Sequence, residues 1–208
     1  TGRPMNAGMA RITKDTPRAE AQRERILCAA QRCFIEYGFH AASMASIAET
    51  AQMSAGLMYR YFDNKSAIVL AIIERQLHEG RTQIAQLHSS SELAASLYDV
   101  FTRWQARDPS VMNAALFLEM SAEGTRDPQI AAALRGSDAL ILSDLAGWMN
   151  RAREDGGLGL PPETVATRAF LLECFIRGLA LTAVRQPDID PGTIKDSIDS
   201  VVSRLLSP

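Results

Sequence analysis

Hydrogen-bond donors are concentrated between positions 59 and 65 of this 208-residue chain. Tyr59, Arg60 and Tyr61 are consecutive, and Lys65 follows shortly after them. Hydroxyl and ammonium groups bind phosphate oxygens, and a planar guanidinium can pair with the acceptor atoms on the major-groove edge of guanine. These residue types therefore favour contact with a nucleic acid, provided that one element holds them on a common exposed face.

Two short helices are the elements that must hold these donors. The sequence predicts a helix from about Met44 to Ala51, with Ser43 as its N-cap, and a second helix from Ala55 to Tyr61. Ser54 can cap the second helix. Two such helices joined by a short turn form a helix-turn-helix, whose second helix can lie in the major groove of DNA.

Small and apolar residues at inward positions support this motif. Ala48 is small where the two helices would cross, and Met58 is apolar on the inward side. Two alternatives stay open at this stage. Tyr59 and Phe62 could be buried aromatic residues of a core. Arg60 could be a solvated surface residue or could contact a phosphate rather than a base.

The stretch between positions 37 and 65 resembles the DNA-binding part of the TetR family of transcriptional regulators. The matching residues are Tyr37-Gly38-Phe39, Ala42-Ser43, Ile47-Ala48, Ala51, Ser54-Ala55-Gly56-Leu57-Met58-Tyr59-Arg60-Tyr61-Phe62 and Lys65. A pattern of this length is specific, and the resemblance covers about residues 20 to 70. One position departs from it, because Gln52 stands where the family usually has glycine. A left-handed backbone conformation there would be strained.

The resemblance implies a DNA-binding role for nine residues. Those expected to bind the DNA backbone or to start a helix beside it are Ser43, Ser54, Tyr59, Tyr61 and Lys65. Those expected to lie closest to base edges are Ala55, Leu57 and Arg60, with Gly56 allowing close approach. The partner implied is a double-stranded DNA operator, and repression is the commoner role in the family.

The whole chain is predicted to be all-α, with about nine helices. Besides those already named, helices are expected at Arg18–Tyr37, from Lys65 onward, and at Ser91–Arg107, Pro109–Gly124, Pro128–Asp155, Pro162–Gln186 and Pro191–Leu206. Four of these begin with a proline, which the first helical turn tolerates. The predicted organisation is a flexible N-terminal arm (1–17), a DNA-binding domain of three helices (18–64) and a helical domain for ligand binding and dimerisation (65–208).

Charge is distributed unevenly along the chain, although the total is only -2. Through Lys65 there are nine Lys or Arg residues against six Asp or Glu residues, so the first part carries +3 and the remainder -5. A basic end attached to an acidic body suits contact between that end and DNA.

The last two predicted helices are candidates for a dimer interface. The helix at 162–186 is apolar on most faces, which predicts burial on several sides. By resemblance, both helices would pair with their twofold mates in a homodimer. The two recognition helices would then lie about one DNA turn apart, roughly 34–36 Å.

The resemblance also implies a small-molecule effector bound in the body of the chain. The candidate pocket residues are Trp104, Phe117, Met120, Trp148, Cys174 and Phe175. Aromatic and Met residues at helical spacing usually fill a core, so an ordinary structural role is the alternative for each. Apolar lining favours an apolar or aromatic compound, whose binding would tilt the helix that starts at Lys65 and release the operator.

No catalytic residue, cofactor or metal site is predicted. The histidines are scattered, no metal-ligand spacing occurs, and no phosphate-binding loop ends in Gly-Lys-Ser or Gly-Lys-Thr. Cys28 and Cys33 would lie about 140° apart around a helix, which favours buried apolar residues over a metal or redox pair. The third cysteine is Cys174.

The sequence predicts a soluble, cytoplasmic protein with no membrane partner. No run of about eighteen uncharged apolar residues occurs, and no apolar segment follows the basic residues near the N-terminus. The runner-up hypothesis is a helical ligand-carrier or interaction protein that binds no operator. Salt-sensitive operator binding would discriminate against it, because contacts with phosphates release counterions.

Overall fold

The computed structural model describes residues 17–108 and 111–207 of the chain. Within these ranges it contains nine α-helices, one short 3₁₀ helix and no strand, which confirms the all-α prediction. The helices are α1 (Pro17–Ala41), α2 (Met44–Thr50), α3 (Ala55–Met58), α4 (Lys65–Ala85), α5 (Ser90–Gln105), α6 (Ala114–Glu123), α7 (Pro128–Asn150), α8 (Pro162–Arg185) and α9 (Pro191–Leu206), with the 3₁₀ helix at Arg153–Asp155. The predicted N-terminal arm lies outside the described residues, except for its last position.

Side-chain caps fix where most of these helices begin. The Asn64 side chain accepts a hydrogen bond from the Ala67 amide and caps α4, so this asparagine is the cap rather than its neighbour Asp63. Prolines occupy the first turns of α7, α8 and α9, as expected from their fixed φ and missing amide proton. The starts of these three helices were therefore predictable from the sequence.

Several predicted boundaries are wrong. Helix α6 begins at Ala114 and not at Pro109, because the Asn113 side chain accepts hydrogen bonds from the first amides of the helix. The residues at 109 and 110 lie outside the described ranges. Helix α7 ends at Asn150, five residues before the predicted end at Asp155, and the last three of these five residues form the 3₁₀ helix.

Helix α1 is longer than predicted. It continues to Ala41, but the backbone leaves helical conformation at Gly38, where φ is 76° and ψ is 162°. Glycine adopts a positive φ at little cost. The predicted helix end at Tyr37 is therefore followed by a kink at Gly38 and one further turn.

Two buried clusters hold the fold together. The first joins α1, α2 and α3 to the N-terminal half of α4, and it includes Leu116, Met120 and Ile130 from α6 and α7. The second joins α5, the C-terminal part of α7, α8 and α9. The predicted domain boundary at Lys65 stays a prediction, but packing of the first cluster extends across it.

Helix α8 is buried on one side only within a single chain. Val165, Leu172 and Leu179 are in the second cluster, whereas Phe170 and Leu181 are among the exposed large apolar residues. The prediction of burial on several sides is therefore not met by one chain. The cysteine prediction holds for Cys33, which is buried, and is wrong for Cys28 on the same helix, which is exposed.

None of the helices in the described ranges is long and apolar enough to cross a lipid bilayer.

Candidate nucleic-acid interface

Helix α2 starts with a capping box made by two serines. The Ser43 hydroxyl accepts a hydrogen bond from the Ser46 amide at 3.0 Å, and the Ser46 hydroxyl accepts one from the Ser43 amide at 2.9 Å. Two amides that the helix leaves without partners are satisfied in this way. The predicted cap at Ser43 is confirmed, and both hydroxyl groups lie near the surface.

The turn after α2 has the hydrogen-bond pattern of a Schellman motif. The Met53 amide donates to the Ala48 carbonyl at 3.0 Å, and the Gln52 amide donates to the Glu49 carbonyl at 2.9 Å. Gln52 adopts a φ of 53°, so the strain predicted for a non-glycine residue at this position is present. Arg25 of α1 holds the turn from outside by donating to the carbonyls of Ala51 and Gln52, each at 2.8 Å.

Helix α3 is short, but its backbone continues as turns to Tyr61. The Ser54 side chain accepts from the Leu57 amide and caps the helix, as predicted. Beyond the helix, the amides of Arg60 and Tyr61 still donate to carbonyls three residues earlier. The sequence prediction of a regular helix to Tyr61 is too long, because this last turn has the tighter 3₁₀ pattern.

The two faces of this segment have opposite environments. Met58 and Phe62 are buried in the first cluster, whereas Tyr59 is 52% exposed. Tyr59 is therefore not a core aromatic residue, whereas Phe62 is one. The predicted DNA-binding residues with exposed side chains or backbones are Ser43, Ser54, Ala55, Gly56, Tyr59 and Arg60, with Leu57 and Tyr61 partly exposed.

Lys65 makes internal contacts in this structure. Its ammonium donates to the carbonyls of Phe39 and Ala42, each at 2.7 Å, and to that of His40 at 3.3 Å. The ammonium also lies 4.6 Å from the centre of the Phe39 ring. Burial lowers the pKa of Lys65, and nearby Glu123 partly opposes this change. The expected phosphate contact of Lys65 stays a prediction, and the lysine also joins the end of α1 to the start of α4.

Two arginines of α1 that support the motif were not singled out from the sequence. Arg25 holds the turn between α2 and α3, and the Arg23 guanidinium lies 4.8 Å above the centre of the Phe62 ring. Neither contact follows from local spacing, because each joins residues far apart in the chain. Ser46 was also missed, although a serine three residues after the cap could have indicated the capping box.

The six predicted pocket residues are not gathered at one place. Trp148 is buried in the second cluster, while Trp104, Phe117 and Phe175 pack against that cluster and are partly buried. Met120 belongs to the first cluster, and Cys174 is exposed. Four of the six therefore surround one core, and two do not.

Trp148 is the one member of this set with an unsatisfied polar atom. Its side chain is 0% exposed, and its indole nitrogen has no hydrogen-bond partner among the described residues. The indole of Trp104, in contrast, donates to the Met112 carbonyl at 2.8 Å. An unpaired buried donor costs free energy, so such groups often mark a place for water or a ligand.

Charged groups in the body form ordinary ion pairs. The Arg177 guanidinium lies 2.8 Å from Asp138 and also contacts Glu173. Burial raises the pKa of Glu173, while the Arg177 charge opposes that rise. Among the described residues, no group of His, Cys, Asp and Glu side chains has an arrangement that could hold a metal ion.

The amino-acid pattern of the helix-turn-helix matches a known family. Residues 26–72 match the family described as bacterial regulatory proteins, tetR family, and residues 92–207 match the C-terminal part of the BetI-type transcriptional repressors. The chain belongs to the TetR family of transcriptional regulators. Together the two matches cover the helix-turn-helix and most of the helical body.

Individual relatives agree with this assignment. The chain is 34% identical over 165 residues to the transcriptional regulator UidR of Escherichia coli K12, covering 76% of this chain and 81% of UidR. It is 28% identical over 197 residues to the repressor AcnR of Corynebacterium jeikeium, covering 93% and 96% of the two chains. The solved structure of Salmonella enterica GusR superposes with a TM-score of 0.73 at 28% identity, covering 93% of this chain and 99% of GusR.

We expect Gln52→Gly to stabilise the protein. Glycine adopts a positive φ at little cost, so the substitution should raise the free energy of unfolding by about 1 kcal/mol, measured by urea denaturation. The matched control is Gln86→Gly, because Gln86 caps α4 with an ordinary φ of -90°. This control should lower the free energy of unfolding by roughly 0.5–1 kcal/mol. Equal effects of the two substitutions would contradict the assignment of strain to Gln52.

Proposed function

We propose that this TetR-family regulator is a homodimeric repressor that binds a palindromic operator through the surface formed by α2, the following turn and α3. The observation that carries the proposal is the arrangement of Tyr59 and Arg60. Both are exposed at the end of α3, while Met58 and Phe62 on the opposite side are buried. The outward donors are therefore presented by a segment that the core holds in place.

Different residues of this surface have different expected roles. Arg60 is the candidate for reading guanine, because its exposed guanidinium has the planar donor pair that base recognition uses. Tyr59 and Tyr61 carry hydroxyl groups suited to phosphate oxygens. Gly56 is exposed, and no other atoms crowd the position where a side chain would start, so the backbone can approach DNA closely.

The second partner is another copy of the chain. The exposed residues on one face of α8 are Phe170, Leu171, Cys174, Gly178, Leu181 and Val184. Their spacing by three and four positions forms an apolar strip along the helix, which the exposed Arg177 interrupts. A large apolar strip exposed to water is unfavourable, and a twofold interface would cover it in both copies. Helix α9 packs beside α8 and would complete the interface.

We expect Phe170→Glu to weaken the dimer. A charge placed in an apolar interface loses its hydration without gaining a partner, so the fraction of monomer should rise. Sedimentation velocity over a range of protein concentrations measures this change. Ile35→Glu is the matched control, because Ile35 is also an exposed apolar residue but lies on α1. The α8 interface would be rejected if both variants sedimented as the unmodified protein does.

The third partner is a small-molecule effector in the second cluster, close to Trp148. The indole donor of Trp148 is buried without a partner in the described part of the chain, so a bound acceptor atom would satisfy it. The surrounding residues are apolar or aromatic. These two properties favour an aromatic or apolar compound that carries at least one acceptor oxygen.

We expect Trp148→Phe to weaken binding of such compounds. The substitution keeps an aromatic ring but removes the donor, so affinity for aromatic carboxylates that bind the unmodified protein should fall roughly tenfold. Isothermal titration calorimetry measures the loss. Trp104→Phe is the matched control, because the Trp104 donor already has a protein acceptor. If compounds bound both variants equally well, or bound without changing operator affinity, this effector site would be rejected.

Operator binding is tested on the DNA immediately upstream of the gene that encodes the chain. Gel shift and footprinting at two salt concentrations should give a palindromic footprint that weakens as salt rises, because phosphate contacts release counterions. Tyr59→Ala should weaken binding to every sequence. Arg60→Ala should reduce discrimination at one base position by roughly tenfold. Glu119→Ala, which changes an exposed residue of the body, is the control.

Two outcomes would contradict these expectations. An equal loss for all sequences in Arg60→Ala would identify Arg60 as a phosphate contact. Absence of any specific, salt-sensitive site, both upstream of the gene and in a genome-wide search, would favour the hypothesis of a helical carrier protein.

A further inference from the structure

Two ion pairs join α1 to α4, one with its cation on α1 and the other with its cation on α4. Arg23 of α1 lies 3.8 Å from Glu74 of α4, and Arg75 of α4 donates to Glu24 of α1. The two residues on each helix are consecutive, and the order of charges is reversed between the helices. Each helix therefore contributes one cation and one anion to the same crossing.

The Glu24–Arg75 pair is the better shielded of the two. The Arg75 side chain is only 19% exposed, whereas the Glu74 side chain is 81% exposed. Arg75 also lies 3.7 Å from Glu79 on its own helix, and the Cys28 thiol donates to the Glu24 carboxylate at 3.3 Å. A partly buried pair is screened less by solvent and salt than an exposed pair, so Glu24–Arg75 should contribute most.

These pairs lie about one helical turn away from the apolar contact between the same helices. Leu27 of α1 and Ile72 of α4 belong to the first buried cluster. Beside that cluster, α1, α4 and α7 line an open cleft of about 1280 Å³. The apolar cluster includes several residues of each helix, and a second contact farther along the crossing helps to hold the angle between the helices. Here the second contact is ionic.

Helix α1 directly contacts the residues before and after α3. Arg25 holds the backbone turn before α3, and Arg23 stacks on Phe62 directly after that segment. On the other side, Arg81 of α4 donates to Asp144 of α7 at 2.6 Å. Contacts therefore run from α7 to α4, from α4 to α1, and from α1 to the turn before α3 and to Phe62 after it.

We propose that Glu24 and Arg75, supported by Arg23 and Glu74, are positioning residues for operator binding. They set the angle between α4 and α1 and thereby the direction in which α3 meets the major groove. This inference rests on the operator binding proposed above. The residues do not touch DNA in this assignment, and they act only through the orientation of the helix-turn-helix.

The test is a charge swap. Glu24→Arg and Arg75→Glu alone should each lower operator affinity about tenfold, and the double variant should recover most of the loss, because the pair is restored with its charges exchanged. Fluorescence anisotropy with labelled operator measures affinity, at a temperature where circular dichroism shows every variant to be folded. Glu24→Gln, which only neutralises the charge, replaces Glu24→Arg if that variant does not fold. Asp99→Asn is the control, because it breaks an exposed ion pair within α5, outside the proposed interfaces.

A second measurement does not require an operator. Spin labels at Ala45→Cys on α2 and Ala139→Cys on α7, with Cys28→Ser and Cys174→Ser, report the distance between helix-turn-helix and body by pulsed electron resonance. Labelled chains are diluted with unlabelled protein so that only distances within one chain are recorded. The single charge variants should broaden or shift the distance distribution, and the double variant should restore it.

The outcomes separate this inference from the proposed function. If the unmodified protein binds no operator, operator binding fails, and the distances still decide the role of the ion pairs. Unchanged affinity and distances in the single variants would overturn the inference, even if their melting temperatures fell. The inference would also be overturned if the double variant bound the operator as weakly as the single variants and gave an equally broad distance distribution.

Discussion

A helix of four residues has no stability of its own, so everything expected of α3 depends on the burial of Met58 and Phe62. These two side chains anchor one side of the segment in the first cluster. Of the three residues between them, Tyr59 and Arg60 are exposed, and Tyr61 packs partly against the cluster. Burial thus determines the direction of the donors, and the cap at Ser54 with the turn held by Arg25 determines where the segment starts.

The same cluster couples the helix-turn-helix to the body. Leu116 and Met120 of α6 are buried in the same cluster as residues of the first three helices, and Lys65 joins the end of α1 to the start of α4. A movement of α6 or α4 would therefore disturb the surroundings of α3 directly. The boundary at residue 65 separates two parts of the sequence, but the apolar packing does not separate there. This continuity gives a physical basis for coupling between an effector in the body and the DNA-binding surface.

Much of the fold and of the local structure around α2 and α3 was predictable, because the signals involved are local. Caps at Ser43 and Ser54, prolines in first turns and the periodic apolar residues all act within a few positions. The strain at Gln52 was predictable for the same reason. The errors involve interactions that local spacing does not encode. The start of α6 depends on a side-chain cap at Asn113, and Cys28 is exposed because α1 has only one buried side at that position. The contacts of Arg23, Arg25 and Arg75 join distant parts of the chain.

The structure uses apolar and ionic contacts in different places, and this difference determines which parts can move. Interlocked apolar side chains hold their geometry tightly, because small displacements lose many contacts at once. The partly exposed Glu24–Arg75 pair contributes less energy than interlocked packing, so the angle that it holds changes at a smaller energetic cost. If α8 pairs with its mate through its apolar strip, the dimer itself forms a rigid base. Adjustment of the spacing between the two copies of α3 is then concentrated at the α4–α1 crossing, where ionic contacts supplement the packing.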